Sequence, residues 1–122
     1  THQDLDAIWG TAFDDIWAVG RVGTIRHYTY DAADALRWVP SSAEVDVELR
    51  AVWGSSSTDI WAVGDEQTIL HGDGVSWTRA RLPSLPEPTT FRGVWGSGKD
   101  DVWVVGDGVI LHRGPAKTGQ VQ

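Results

Sequence analysis

The chain has 122 residues, no cysteine and a formal net charge of −7. That length suits one domain with a real core. Ten scattered basic residues exclude a phosphate-backbone groove for nucleic acid, and zero cysteine excludes disulfides and thiolate metal sites.

The first apolar segment, Leu5–Trp9, leads through Gly10 to Asp15–Gly20, then Thr24–Tyr28, then a segment around Trp38, Ala35–Val39. The second run repeats it: Leu49–Trp53, Asp59–Gly64, Thr68–Gly72 and Val75–Ala80 around Trp77. The third gives Phe91–Trp95, Asp101–Gly106 and Val109–Arg113, followed by a polar tail, Gly114–Gln122, with no matching outer Trp. In Leu49–Trp53, residues Leu49, Ala51 and Trp53 share one face and Arg50 and Val52 the other, a period of two that predicts a strand. Segment Asp59–Gly64 is apolar on both faces, as expected of a strand in the middle of a stack of sheets. Gly10, Gly54 and Gly96, each followed by polar or small residues up to an Asp, predict turns. No stretch keeps a helical period, and Val, Ile, Trp and Thr dominate the apolar runs, so helix content should be near zero. No apolar run approaches the length of a membrane span, so no membrane insertion is expected, and no signal peptide is expected in this stretch.

The repeat itself sets the architecture. Trp9 and Trp17, Trp53 and Trp61, and Trp95 and Trp103 recur at spacings of 44 and 42 residues. Short Trp-rich strands at that period predict propeller blades. The expected fold is all-β, a β-propeller built of four-stranded antiparallel blades, three per chain. Residues 1–122 form a single propeller segment, with blade 1 at about 5–40, blade 2 at about 49–83 and blade 3 at about 91–122.

The phrase Val52-Trp53-Gly54-Ser55, Asp59-Ile60-Trp61-Ala62-Val63-Gly64, Ile69-Leu70-His71 and Trp77 resembles the Trp-rich β-propeller repeats of bacterial secreted and surface proteins. It is loosely similar to Asp-box and lectin-type propellers, with Ser97, Asp101 and Trp103 in the matching places. The resemblance spans residues 5–113 and implies an extracellular or cell-surface setting and a binding role, since such propellers host lectins, enzymes and scaffolds alike.

Propellers use about four to eight blades, so three do not close. Each indole kept from water is worth on the order of 4–6 kcal/mol, so open blade faces are costly. Either the chain is a fragment of a longer propeller or copies assemble; two copies give six blades, and a homodimer closing a six-bladed ring is the expected assembly, with the first blade of one chain against the third of the other.

Sameness serves the scaffold, so a site is sought where the copies differ. The turn after the second strand reads Arg21-Val22-Gly23, Asp65-Glu66-Gln67 and Asp107-Gly108, and the second residue of the first strand is Asp6, Arg50 or Arg92. Arg21, Arg50, Asp65, Glu66, Arg92 and Asp107 are therefore candidate ligand-binding residues on one loop face. Tyr28 and Tyr30, beside a longer loop in repeat 1, and the outer-strand Trp38 and Trp77 are candidates elsewhere. His27, His71 and His112 sit one per blade, which suits a repeated structural hydrogen bond better than a metal site. Asp14, Asp15, Asp100 and Asp101 lack calcium-loop spacing. No catalytic residues, metal or cofactor are expected. The function expected is non-enzymatic binding, of carbohydrate through the inter-repeat loops, or alternatively of a protein by a scaffold with no small ligand; a glycoside hydrolase-type propeller is the weakest reading.

Overall fold

The computed structural model describes residues 5–80, 82 and 89–114, and strands dominate them. Three antiparallel sheets follow one another along the chain. The first runs β1 (Leu5–Ala12), β2 (Asp15–Gly20), β3 (Ile25–Tyr30) and β4 (Leu36–Ser41). The second runs β5 (Leu49–Ser56), β6 (Asp59–Gly64), β7 (Thr68–Gly72) and β8 (Trp77–Arg79). The third contains β9 (Phe91–Gly98), β10 (Asp101–Gly106) and β11 (Val109–Arg113). Sequential strands pair in every sheet, so each is an up-and-down blade. The tail expected to complete blade 3, residues 115–122, lies outside the described residues. The one helical element described is a 3-10 turn, Arg21–Gly23.

The blades stack face to face, with β1, β5 and β9 side by side along the inner edge. Between blades 1 and 2 lie Trp17, Val19 and Ile25 from one side and Leu49, Val52, Ile60, Ala62 and Leu70 from the other. Between blades 2 and 3 lie Trp61, Val63 and Ile69 against Phe91, Val102 and Val104. At both junctions the forward face leads with Trp, and the back face of the next blade meets it with mainly aliphatic residues plus Phe91 or Trp77. Residues Ile60 to Gly64 are all buried, which is why β6 carries no polar face between its ends.

The first strands run longer than the alternation suggested. Gly10, Gly54 and Gly96 lie within strands rather than in turns, and the hairpins close on two residues each: Phe13-Asp14, Ser57-Thr58 and Lys99-Asp100. Register shifts between Gly10 and Ala12, between Gly54 and Ser56 and between Gly96 and Gly98 mark a bulge at the same point of all three hairpins. The glycine has a packing reason. A Cβ at Gly54 would sit 2.7 Å from Trp9 Cη2, and one at Gly96 would sit 2.7 Å from Trp53 Cη2. Trp9 and Trp53 therefore each rest on the glycine of the next blade, where an added Cβ would crowd the indole.

The outer strands carry a second link. Trp77 on β8 packs edge-on against Trp17 of blade 1, with ring centroids 5.5 Å apart, and its Nε1 donates to Ser41 Oγ at 3.2 Å. It passes over Gly72, where a Cβ would lie 2.8 Å from the indole. Arg113 takes the corresponding place in blade 3, its guanidinium 5.4 Å from the Trp61 ring. Backbone bonds join the blades as well: Gly23 N–H donates to Val47 O at 2.6 Å and Gln67 N–H to Thr89 O at 2.7 Å.

Candidate functional site: a charged loop face

The turn after the second strand and the start of the first strand meet at one end of each blade, beside the inner edge. In blade 2, Arg50 Nε donates to Asp65 Oδ1 at 2.6 Å and Nη2 to Oδ2 at 3.5 Å. Blade 3 repeats the fork, with Arg92 Nε to Asp107 Oδ1 at 2.8 Å and Nη2 to Oδ2 at 3.4 Å. Both Arg side chains thereby present a fixed fork. Donation to the Asp65 carboxylate raises the pKa of Arg50, and donation to Asp107 raises that of Arg92. The Arg92 hydrogen bond in turn holds Asp107 below the usual carboxylate range. Charges on blades 2 and 3 feel one another across this face: Arg50 acts on both Arg92 and Asp107.

Blade 1 reverses the polarity. Asp6 stands where Arg50 and Arg92 stand, and Arg21 where Asp65 and Asp107 stand. Asp6 shares a hydrogen bond with Glu48, and that contact pushes the Glu48 carboxyl above its ordinary range. Glu48 also receives Arg50 Nη2 at 3.5 Å. The face is a run of alternating charge: an acidic pair beside blade 1, then two Arg–Asp forks. Glu66 belongs to the same turn, at φ 55, with its carbonyl accepting Arg79 Nη2 at 3.0 Å.

The other candidate residues do not join this group. Tyr28 and Trp38 face each other across β3 and β4, with rings 5.0 Å apart, and Tyr30 is exposed beside them. Trp77, an outer-strand candidate, lies half-buried between blades 1 and 2, packed on Trp17 and bonded to Ser41. Trp95 is exposed, with no further blade packed on it among the described residues.

At the opposite end of each blade lies a network that the sequence reading caught only in outline. His27 Nε2 meets Asp15 Oδ1 at 2.7 Å, His71 meets Asp59 at 2.6 Å and His112 meets Asp101 at 2.6 Å. The other carboxylate oxygen accepts from Thr11, Ser55 or Ser97. Each imidazole stacks on the second Trp of its blade, at centroid distances of 3.7, 4.0 and 3.9 Å. Burial works against the Asp59 carboxylate, yet the hydrogen bonds from Ser55 and His71 outweigh it and hold its pKa low. Asp101 is held low first by Ser97 and then by His112. The hydroxyl bonds the carboxylate and not the imidazole, so the group is not ordered as nucleophile and base. It pins the hairpin turn to the third strand. The signal was present in the sequence: a Ser or Thr four residues before the Asp, and a His eleven or twelve after it.

Comparison with known proteins places the fold. YCF48 from Cyanidioschyzon merolae superimposes with a TM-score of 0.76 at 20% identity, over 94% of this chain and 39% of the YCF48 chain. A structure of YCF48 bound to D1 peptide gives 0.74 at 17% identity, over 99% of this chain and 40% of that one. With its three stacked up-and-down sheets, this chain is a β-propeller segment, spanning about two fifths of the length of those neighbours. No protein-family profile matches the chain, and no curated protein matches it.

Proposed function

We propose that this chain is part of a non-enzymatic propeller scaffold that binds a segment of another protein across the charged loop face. The observation that carries this is the row of alternating charge at the inner edge, with Arg50–Asp65 and Arg92–Asp107 locked as forks beside Asp6 and Glu48. Such a row suits an extended polar peptide, whose own charges and backbone find donors and acceptors at blade spacing. A distant neighbour of the same fold has been determined with a peptide bound, which favours a protein partner over a sugar. Sugar rings stacked on indoles would need those indoles exposed beside the loops. The exposed ones described, Trp38 and Trp95, lie on the outward faces of the end blades, so the glycan reading ranks second.

The test is a peptide array run beside a glycan array, with Arg92→Ala as the control. Peptide hits that are lost in Arg92→Ala support the proposal. Hits confined to glycans, or peptide hits indifferent to Arg92 and Arg50, would reverse it. Arg92 and Asp107 are both exposed, so the substitution should leave the unfolding midpoint unchanged.

A further inference from the structure

We propose that the charged loop face selects its partner segment by the order of charges: a basic side chain over blade 1, then an acidic one over each of blades 2 and 3. This rests on the reading of that face as a peptide site and adds the chemistry of the peptide.

The order comes from one position on three inner strands. The second residue is Asp6 on β1, Arg50 on β5 and Arg92 on β9, and these strands lie side by side. The inner edge therefore runs negative, positive, positive. The forks decide which group is offered outward. Asp65 meets Arg50 with both oxygens, at 2.6 and 3.5 Å, and Asp107 meets Arg92 with both, at 2.8 and 3.4 Å. Each guanidinium gives Nε and Nη2 to that contact, and its Nη1 has no partner among the described residues. A guanidinium has five N–H donors, so each fork keeps donors for an acceptor from outside, and a carboxylate is the strongest such acceptor. The Arg50–Asp65 fork lies in the middle blade, with a blade packed on each side, and the Arg92–Asp107 fork has the same form.

Blade 1 offers the opposite. Asp6 shares a hydrogen bond with Glu48, the residue before β5, and Glu48 lies 3.5 Å from Arg50 Nη2. Two carboxyl groups in contact resist ionising together, and Glu48 is pushed above its ordinary range. A cationic side chain laid across the pair relieves that repulsion as a proton does. The pair is tied to the fork beside it, because the Glu48 carbonyl accepts the Asp65 N–H at 2.9 Å. Charge of each sign thus has a fixed place along the row, and a segment with the complementary order meets no like charge. Stacked sheets lie about 10 Å apart and an extended chain rises about 3.3 Å per residue, so the partner's charges fall about three residues apart.

The decisive experiment uses end-blocked peptides of one lysine and two glutamates on a Gly/Ser background, differing in order alone: Lys-x-x-Glu-x-x-Glu, Glu-x-x-Glu-x-x-Lys and Glu-x-x-Lys-x-x-Glu. The first two match the face in opposite chain directions, and the last matches it in neither. Binding to the whole chain is followed by fluorescence anisotropy at low salt. One of the end-lysine peptides should bind at least about tenfold tighter than the middle-lysine one. In Asp6→Lys, at an exposed position, the preference should pass to Glu-x-x-Glu-x-x-Glu. That readout is a ratio between peptides, so partial unfolding of the variant does not imitate it. Equal affinity for every order overturns the proposal, as does an unchanged preference in Asp6→Lys or no binding by any of these peptides. The peptide site itself fails separately, if no hit on the peptide array depends on Arg92.

Discussion

The middle blade and the two end blades carry the same residues in different surroundings. Ile69 is buried under blade 3, and Ile110, its counterpart one blade later, is half exposed. Leu49 is sealed by blade 1, and Leu5 is open. Repetition therefore fixes which side chains are offered to a neighbour, and place in the stack decides whether one is there. Stability in such an array is close to a sum of blade terms and nearest-neighbour terms.

Matched substitutions break or sharpen that comparison. The largest difference is expected between Trp17, buried at the first junction, and Trp103, on the outward face of blade 3. Trp17→Ala should cost about 3–5 kcal/mol in urea unfolding. Trp103→Ala in dilute solution should cost clearly less. Equal costs would mean that the junction is not what stabilises the indole. The glycine seats come next. Gly54→Ala places a methyl group against Trp9 and against the Asp59 carbonyl, at 2.7 Å from each, and should cost about 1–3 kcal/mol. Gly98→Ala, in the same sheet type with nothing within 4 Å, should stay within about 0.5 kcal/mol of wild type.

The smallest effect is electrostatic. Asp59 and Asp101 are held below their ordinary value of 3.8 in the folded chain. The unfolded chain therefore takes up their protons first as pH falls, and their contribution is complete above 3.8 and lost on acidification through their lowered values. Glu48, raised from 4.5 by Asp6, acts with the opposite sign and favours the folded chain as pH falls through its raised value. Asp59→Asn should lower stability by about 1 kcal/mol at neutral pH, the worth of one hydrogen bond. It should also flatten the loss below pH 3.8. An unchanged acid profile would assign that loss to other carboxylates.

Much of the fold was legible because it repeats. The period-two alternation of Leu49, Ala51 and Trp53, and the two apolar faces of β6, identified strands packed on both sides. The loop face was found from disagreement between copies at Arg21, Asp65 and Asp107, though not the forks that lock Arg50 and Arg92. What escaped depended on partners a whole repeat away. Gly54 read as a turn residue because Trp9, which needs the space, lies in the preceding blade. The packing of Trp77 was not legible, because its partners Trp17 and Ser41 come from the blade before. The Asp59–His71 link spans twelve residues and was readable in principle, since its spacing nearly recurs in all three copies.

The central claim is that the glycine of the following blade shields the inner Trp, as Gly54 does for Trp9 and Gly96 for Trp53. Hydroxyl-radical footprinting of the individual tryptophans measures this directly. The account predicts that Trp95 is the most reactive of the inner indoles, Trp9 and Trp53 less so, and Trp17 protected. A Trp53 as reactive as Trp95 would contradict it.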